Sequence, residues 1–464
     1  MEVSILSSGS VKPSTLLPNQ LVDPMKLNLL DQLTPMSYSP LVLFYPNNNT
    51  MNNNARNSFK NISNQLKCSL SETLSLYYPL AGRVRDNYAI HDFDEGVPFV
   101  ETHVNGQLSD FLISSGNTSV LPKLNHFLPY RTFCRAPDTG PQIAAQLNAF
   151  ECGGLALGIC FSHKSHDGTA VSALLRTWAA INANRLDNVV HPNFEQGPLA
   201  FPPVQSMPRH YASLTEDLWF GSGGKPVTRR FVFGPESVAN LRDQAKGKAL
   251  ENPTRAEAVS GFVWKCIMQA SKSGNPSVFT QSVNLRRLTR PRLRRHSFGN
   301  LILFSDASYD HHVNEQGTRI DELAALVRKG VAEMDYDYVE RLRGEKGTEA
   351  IWEYYERQAE IEDGNTDVYN FSCWHGFDFT KTDFGWGPTV WVGLSSATGE
   401  GGGDDDDTVP YCSNSVVLME DGRSKDGMEV WLTLEEPVMS ALEADLEFLQ
   451  FASSEPGILP PTYA

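Results

Sequence analysis

The 464-residue chain is short of three things. Cysteine is scarce: seven residues, an odd number, scattered, with no Cys-x-x-Cys pair. That excludes a disulfide framework and a cysteine-based metal centre, so no metal is expected, and it fits a reducing compartment. Long apolar runs are missing, and nothing approaches the roughly 20 residues of a membrane span. Residues 1–19 lack a basic segment followed by an apolar core, so no signal peptide is expected and a cytoplasmic location is. Positive charge is the third deficit, with 39 Lys and Arg against 55 Asp and Glu, a net charge of -16. Such a chain repels nucleic acid and anionic membrane surfaces, so neither is an expected partner. The length allows two domains, each with its own core. No internal repeat is visible, and a monomer is expected.

What the chain does have is organised around Ser162-His163-Lys164-Ser165-His166-Asp167-Gly168. Upstream, Leu155, Leu157, Ile159 and Phe161 alternate with Ala156, Gly158, Cys160 and Ser162. A period of two predicts a strand, with His163 continuing the large apolar register. The opposite face carries small residues, which lets another backbone approach. Downstream, Val171, Leu174, Leu175 and Trp178 fall at helical spacing. A buried imidazole at a strand end suits a general base. Taken alone, a histidine on an apolar face is more often a satisfied core residue than a catalyst, and Asp167 also suits a helix N-cap. Metal ligation by His163 and His166 lacks a third ligand at recognisable spacing. A serine nucleophile lacks the Gly-x-Ser-x-Gly elbow.

Residues 1–200 read as one domain, 201–226 as a Pro- and Gly-rich linker with packed aromatics, and 227–464 as a second domain. Val3–Ile5 and Pro40–Pro46 read as extended, the latter a buried strand. Thr254 and Glu257 form a capping-box pattern before a helix whose N-terminus suits an anion. An ordinary capped helix explains the same pattern. Arg286, Arg287, Arg290, Arg292, Arg294 and Arg295 cluster in an otherwise acidic chain. They read as a solvated loop or as a phosphate site. Residues 321–363 read as charged surface helix, 399–407 as a low-complexity loop, and Pro437–Phe451 as a last helix. Glycines flanking Trp386 imply positive φ or close backbone approach.

Three stretches together carry a resemblance: His163-Lys164-Ser165-His166-Asp167, Asp383-Phe384-Gly385-Trp386-Gly387, and Tyr78-Pro79-Leu80-Ala81-Gly82-Arg83. The chain resembles a plant BAHD acyltransferase over nearly its full length. Leu30-Asp31-Gln32-Leu33, Phe44-Tyr45-Pro46, Asp94–Phe99 and Val283-Asn284-Leu285-Arg286 make it most similar to the branch of volatile-ester alcohol acyltransferases and alkaloid acetyltransferases. The resemblance implies an α/β fold of two similar-sized chloramphenicol-acetyltransferase-like domains with mixed sheets and a channel between them. It implies His163 in mid-channel as general base. It implies structural roles for Asp167, paired with Arg286, and for Asp383, Gly385, Trp386 and Gly387. Residues 370–395 are expected to cross over and complete the first sheet. Ser372 and Trp374 match positions lining the acyl site, Asn300 matches the Gly-Asn after the Arg-rich stretch, and Thr254 and Ser260 match positions near the pantetheine arm of coenzyme A. Three departures stand out: Cys373 where serine is usual, Pro388 where a cation often follows, and His166 as a second imidazole.

The expected reaction is transfer of an acyl group, acetyl above all, from acyl-CoA to the hydroxyl of a small hydrophobic alcohol. That alcohol is aliphatic, benzylic, terpenoid or alkaloid. Such an alcohol must lose its proton as it attacks, which an imidazole can accept. The oxyanion needs donors, for which Ser372, Trp374 and Asn300 are the candidates. Water must be excluded. The thioester is already activated, so direct attack in a ternary complex is expected and an acyl-enzyme through Cys373 is not. The coenzyme's 3′-phosphate is assigned to one or two of Arg290, Arg292, Arg294 and Arg295, helped by the helix after Thr254. The alternatives are an aromatic-acyl or N-acyl transferase of the same fold, and a catalytically silent relative that binds a small ligand.

Overall fold

The computed structural model describes residues 1–15, 23–47, 55–113, 117–220, 226–310, 317–363, 365–397, 412 and 414–454. The Asn-rich stretch from 48 to 54, the glycine cluster at 221–224 and the Gly- and Asp-rich loop at 399–407 lie outside them.

The strands are β1 (Glu2–Val11), β2 (Tyr38–Tyr45), β3 (Val97–Asn105), β4 (Ile143–Phe150), β5 (Leu155–Ser162), β6 (Pro226–Phe233), β7 (Ser277–Asn284), β8 (Ile302–Tyr309), β9 (Asp367–Cys373), β10 (Trp391–Gly393), β11 (Ser415–Glu420), β12 (Met428–Glu435) and β13 (Ala452–Ser453). They form two mixed sheets of similar size. The first has the order β1-β3-β4-β5-β2-β10, and the second β8-β7-β9-β11-β12-β6-β13. In the first sheet only β3 and β4 run parallel; in the second β9 runs parallel to β7 and to β11.

β5 sits inside the first sheet, and all eight of its residues are buried. Its small face works as the alternation predicts. A Cβ on Gly158 would lie 1.8 Å from the carbonyl oxygen of Phe127, so the crossing backbone needs glycine there. After the short α1 (Leu29–Gln32) come the long helices α2 (Ala55–Leu76) and α3 (Gly168–Asn182), which pack together; Trp178 donates its indole N–H to Leu66 O and Ser69 Oγ.

In the second sheet the pleat separates two environments. Phe279 and Phe371 face a core closed by α5 (Arg255–Ser271), while Thr280, Asn370 and Ser372 alternate with them and face a cavity. The chain returns to the first sheet after β9: Trp391 of β10 pairs with Phe44 of β2, so residues 374–390 carry the crossover.

Several expectations need correcting. The first strand runs from Glu2 to Val11, longer than Val3–Ile5, because it pairs along the edge of β3. The linker holds an eleven-residue helix, α4 (Arg209–Trp219), anchored by Tyr211 stacked on Trp352 at 4.1 Å. The 321–363 segment is three helices, α6 (Ile320–Glu333), α7 (Tyr336–Arg341) and α8 (Gly347–Asp363). It is not simply surface, since α6 packs on α5 and α8 buries Tyr354 and Tyr355. The last helix is two, Glu436–Glu443 and Leu446–Phe451, because Asp445 caps a second start. Among the described residues no helix is long and apolar enough to cross a membrane.

Candidate active site

His163 lies just past the end of β5, where the strand gives way to a tight turn. Its backbone N–H donates to Ser37 O at 2.8 Å, fixing the turn against β2. Asp167 ends the turn and caps α3, accepting at Oδ1 from Ala170 N at 3.0 Å. The same carboxylate takes two hydrogen bonds from Arg286, 2.6 Å to Oδ2 and 3.1 Å to Oδ1, and one from Leu301 N at 3.1 Å. Capping and ion pairing are therefore one arrangement. Arg286 also donates to Asn284 Oδ1 and to the carbonyls of Ser297 and Gly299. The side chains of the pair are 2% and 1% exposed. A buried pair of charges is tolerated when every remaining polar atom is satisfied, and here they are.

A second bridge to the motif runs through Asn300. Its Nδ2 donates to His163 O at 2.7 Å and to Asp31 Oδ1 at 3.1 Å, and its backbone N–H to the same oxygen at 2.7 Å. Both amide hydrogens are engaged. Asn300 therefore holds the His163 turn in place and has no free hydrogen for an oxyanion. Asp31 also accepts from Asn28 N and Nδ2, at 3.0 and 2.6 Å. Burial pushes its carboxyl up to about 7 while these donors pull the other way. Lys164 donates to the carbonyls of Gln32 and Thr34, and burial brings its ammonium down to about 8.

Burial also lowers His163 from the usual imidazole value, opposed by its own carbonyl, by Asp167 and by Asn300. The ring is thus neutral at pH 7. It is not sealed off, because it lines two cavities and packs edge-on against Trp219 at 4.8 Å. His166 is different. Its Nδ1 faces Ser162 O and Ser165 Oγ at 2.8 Å each, its ring packs on Phe298, and burial takes it down to about 4.

The first cavity, about 190 Å³, runs along Asp167, Thr169, Asn284, Cys373 and Phe377. The second, about 180 Å³, runs along Trp219, Phe304, Tyr354, Tyr355 and Asn370. His163, Ser39, Ser282, Ile302, Ser372 and Trp374 line both. Trp374 donates its indole N–H to Ser372 Oγ at 3.0 Å, which leaves the serine hydrogen free to point elsewhere. Burial pushes the Cys373 thiol above its usual range, so it stays protonated at pH 7.

The other expected residues lie away from this junction. Thr254 closes the capping box with Glu257, which also binds Arg328, and Ser260 is buried inside the second core; neither lines either cavity. Arg290, Arg292, Arg294 and Arg295 are exposed and line neither cavity. Arg290 and Arg292 sit over the ring of Tyr336, and Arg290 faces Asp337 at 3.7 Å. Arg255 Nη2 lies 3.2 Å from Nε2 of His375, which follows Trp374 in the chain. Asp383 accepts from Gly385 N and Gly387 N at 2.8 and 2.9 Å and pairs with Arg185 at 3.0 Å, lining neither cavity. Gly385 and Gly387 have φ of 94° and 95°, as the flanking glycines suggest. Sequence reasoning missed Trp219, Tyr354, Tyr355 and Asn370 as wall residues. The aromatic content of the linker was the one signal pointing to Trp219.

A family model described as the Transferase family matches residues 1–449. Akuammiline synthase 2 of Alstonia scholaris is 34% identical over 466 residues, covering 99% of this chain and 98% of that protein. Limonoid 7-O-acetyltransferase of Citrus sinensis is 32% identical over 471 residues, covering 98% and 99%. The crystal structure of vinorine synthase matches with a TM-score of 0.76 at 27% identity, covering 98% of this chain and 99% of that one.

Proposed function

The chain belongs to the Transferase family of BAHD acyl-CoA-dependent acyltransferases, and on that premise we propose that it acetylates a hydroxyl of a plant alkaloid or terpenoid alcohol from acetyl-CoA. The observation that carries this reading is the junction of two cavities at His163, Ser372 and Trp374.

The donor enters by the first cavity, with its phosphates towards Arg255 and His375 at the start of α5, and the acceptor enters by the second. His163 takes the hydroxyl proton as the oxygen attacks the thioester carbon. The carbonyl oxygen becomes an oxyanion, which accepts the free hydrogen of Ser372, polarised by the Trp374 indole. The tetrahedral adduct collapses, the C–S bond breaks, and the thiolate takes the proton from the His163 imidazolium. No acyl-enzyme forms, in keeping with the protonated Cys373. Arg286 and Asn300 line neither cavity and act through the His163 turn, as does Asp167, whose carboxylate is taken up by Arg286, Ala170 N and Leu301 N.

The test is thiol release from acetyl-CoA, followed with a thiol dye over a panel of alkaloid, terpenoid and benzylic alcohols, with ester confirmed by mass spectrometry. Acceptor-dependent release with ester formation supports the reading. Release that does not need an acceptor makes the protein a hydrolase, and no release with any acceptor removes the acetyl-transfer reading.

A further inference from the structure

The second cavity holds a hydrogen-bond donor that no group of the described protein uses. Asn370 on β9 accepts at Oδ1 from Thr280 Oγ1 at 2.7 Å, and its backbone N–H donates to Asn414 O at 2.8 Å. Its side-chain Nδ2 donates to none of the described residues. Thr280 sets which way the carboxamide points. It is buried, and Asn370 Oδ1 is the acceptor for its hydroxyl hydrogen; a turned amide would leave that hydrogen unpaired.

The sheet places this donor. Asn370 and Ser372 share one face of β9, while Phe371 between them faces the other side and packs on Phe279 at 4.2 Å. Ser372 lines both cavities, and Asn370 lines the second alone. Two residues of strand span about 7 Å. The free N–H therefore lies about one strand repeat from the reacting bond, on the acceptor side. The wall around it includes Trp219, Phe304 and Val368, with Gln358, Glu362 and Ser415 as polar members. A small number of placed polar groups fixes a ligand's orientation in such a cavity, and Asn370 Nδ2 is a donor that no described residue takes up.

We infer that Asn370 recognises the acceptor, and that the acceptor is an alcohol carrying a carbonyl oxygen (ketone, lactone or ester) about 7 Å from its reacting hydroxyl. The inference rests on the reading of the second cavity as the acceptor site. A carbonyl fits because it only accepts, and Nδ2 only donates.

The experiment uses the full chain, acetyl-CoA and two probes of matched size, methyl 4-(hydroxymethyl)benzoate and 4-propylbenzyl alcohol. The first carries the carbonyl at the required distance, and the second does not. Wild type is expected to favour the ester in kcat/KM by roughly tenfold, the worth of one hydrogen bond. Asn370→Asp, isosteric but without the donor, brings the ratio to one or below. Thr280→Val, which frees the carboxamide to turn, lowers it part of the way. A general structural role for Asn370 would lower both probes together and leave the ratio unchanged. Equal use of the two probes by wild type, or an unchanged ratio in Asn370→Asp, overturns the inference. If wild type acetylates neither probe nor any other alcohol, it is acetyl transfer that fails. The ester probe is then titrated by quenching of tryptophan fluorescence. Tighter binding to wild type than to Asn370→Asp supports the donor, and equal or absent binding overturns it.

Discussion

Asp167 and Asp383 belong to the two most distinctive motifs of the chain, and they make the same kinds of bond in different surroundings. Each accepts backbone N–H groups at a turn, and each pairs with one arginine. Asp167 and Arg286 are 1% and 2% exposed, whereas Asp383 and Arg185 are 25% and 44% exposed. The first pair ties the His163 turn to the second half of the chain. The second ties the crossover to the end of α3, where Asn182 Nδ2 also holds Phe384 O at 2.6 Å. Losing one partner in the interior strands a charge without water, whereas at the surface water replaces the partner. A motif's distinctiveness in sequence thus says nothing of how much free energy its ion pair contributes.

The largest expected effect concerns what the buried pair serves. His163→Ala lowers kcat by roughly 10²–10⁴-fold while the protein stays folded, as judged by circular dichroism. His166→Gln is expected to lose far less activity, since that ring faces Ser162 O and Phe298. Retention of more than about a tenth of kcat in His163→Ala would remove it as the base.

Next come the partners themselves. Asp167→Ala and Arg286→Ala are each expected to lose about 3–5 kcal/mol, and both lose activity with the turn. In a double-mutant cycle the two changes are strongly coupled. Additive losses would show that the pair is not the unit that the geometry describes.

A pH experiment sharpens the contrast further. His166, depressed to about 4 by burial, is neutral in the folded protein and titrates normally when unfolded. Its contribution is full above about 6.5 and is lost as pH falls towards 4, amounting to about 3 kcal/mol. The melting temperature is therefore expected to fall between pH 7.5 and pH 4.5, less so in His166→Gln. An identical fall in both proteins would place the acid sensitivity elsewhere. His163, also lowered by burial, puts the acid limb of kcat/KM below 6.5, because the neutral ring is the base. A limb above that value would contradict a desolvated base.

How much of this was legible in the sequence depends on how local the signal is. The alternation into His163 and the spacing after Asp167 are read residue by residue, and β5 and α3 follow them. The small face predicted a close backbone, found at Gly158. The Asp167–Arg286 pair spans 119 residues, and no local pattern contains it; the family resemblance supplied it. The arginine cluster was legible as charge only, because charge density does not say where side chains point, and two of these side chains rest on Tyr336. Helix α8 misled because its buried tyrosines stand among Glu, Arg and Gln, and they line a cavity as well as a core. Asn370 was invisible because alternation alone does not tell a cavity face from a solvent face.

The smallest expected effect tests the surface half of the comparison. Arg185→Ala removes the ion pair at Asp383, but both partners are substantially exposed, and water and salt already screen them. The expected loss is below about 1 kcal/mol, and it shrinks in high salt. Asp383 keeps its bonds from Gly385 N and Gly387 N, so the turn itself persists. The crossover also keeps Asn182 on Phe384 O and Phe384 packed on Trp178 at 5.2 Å. The acetyl-CoA KM is expected to stay as in wild type, because neither Asp383 nor Arg185 lines a cavity. Urea midpoints for Arg185→Ala at low and high salt check this. A loss as large as that of Arg286→Ala would mean that the crossover depends on this pair, and that the two aspartates are energetically alike after all.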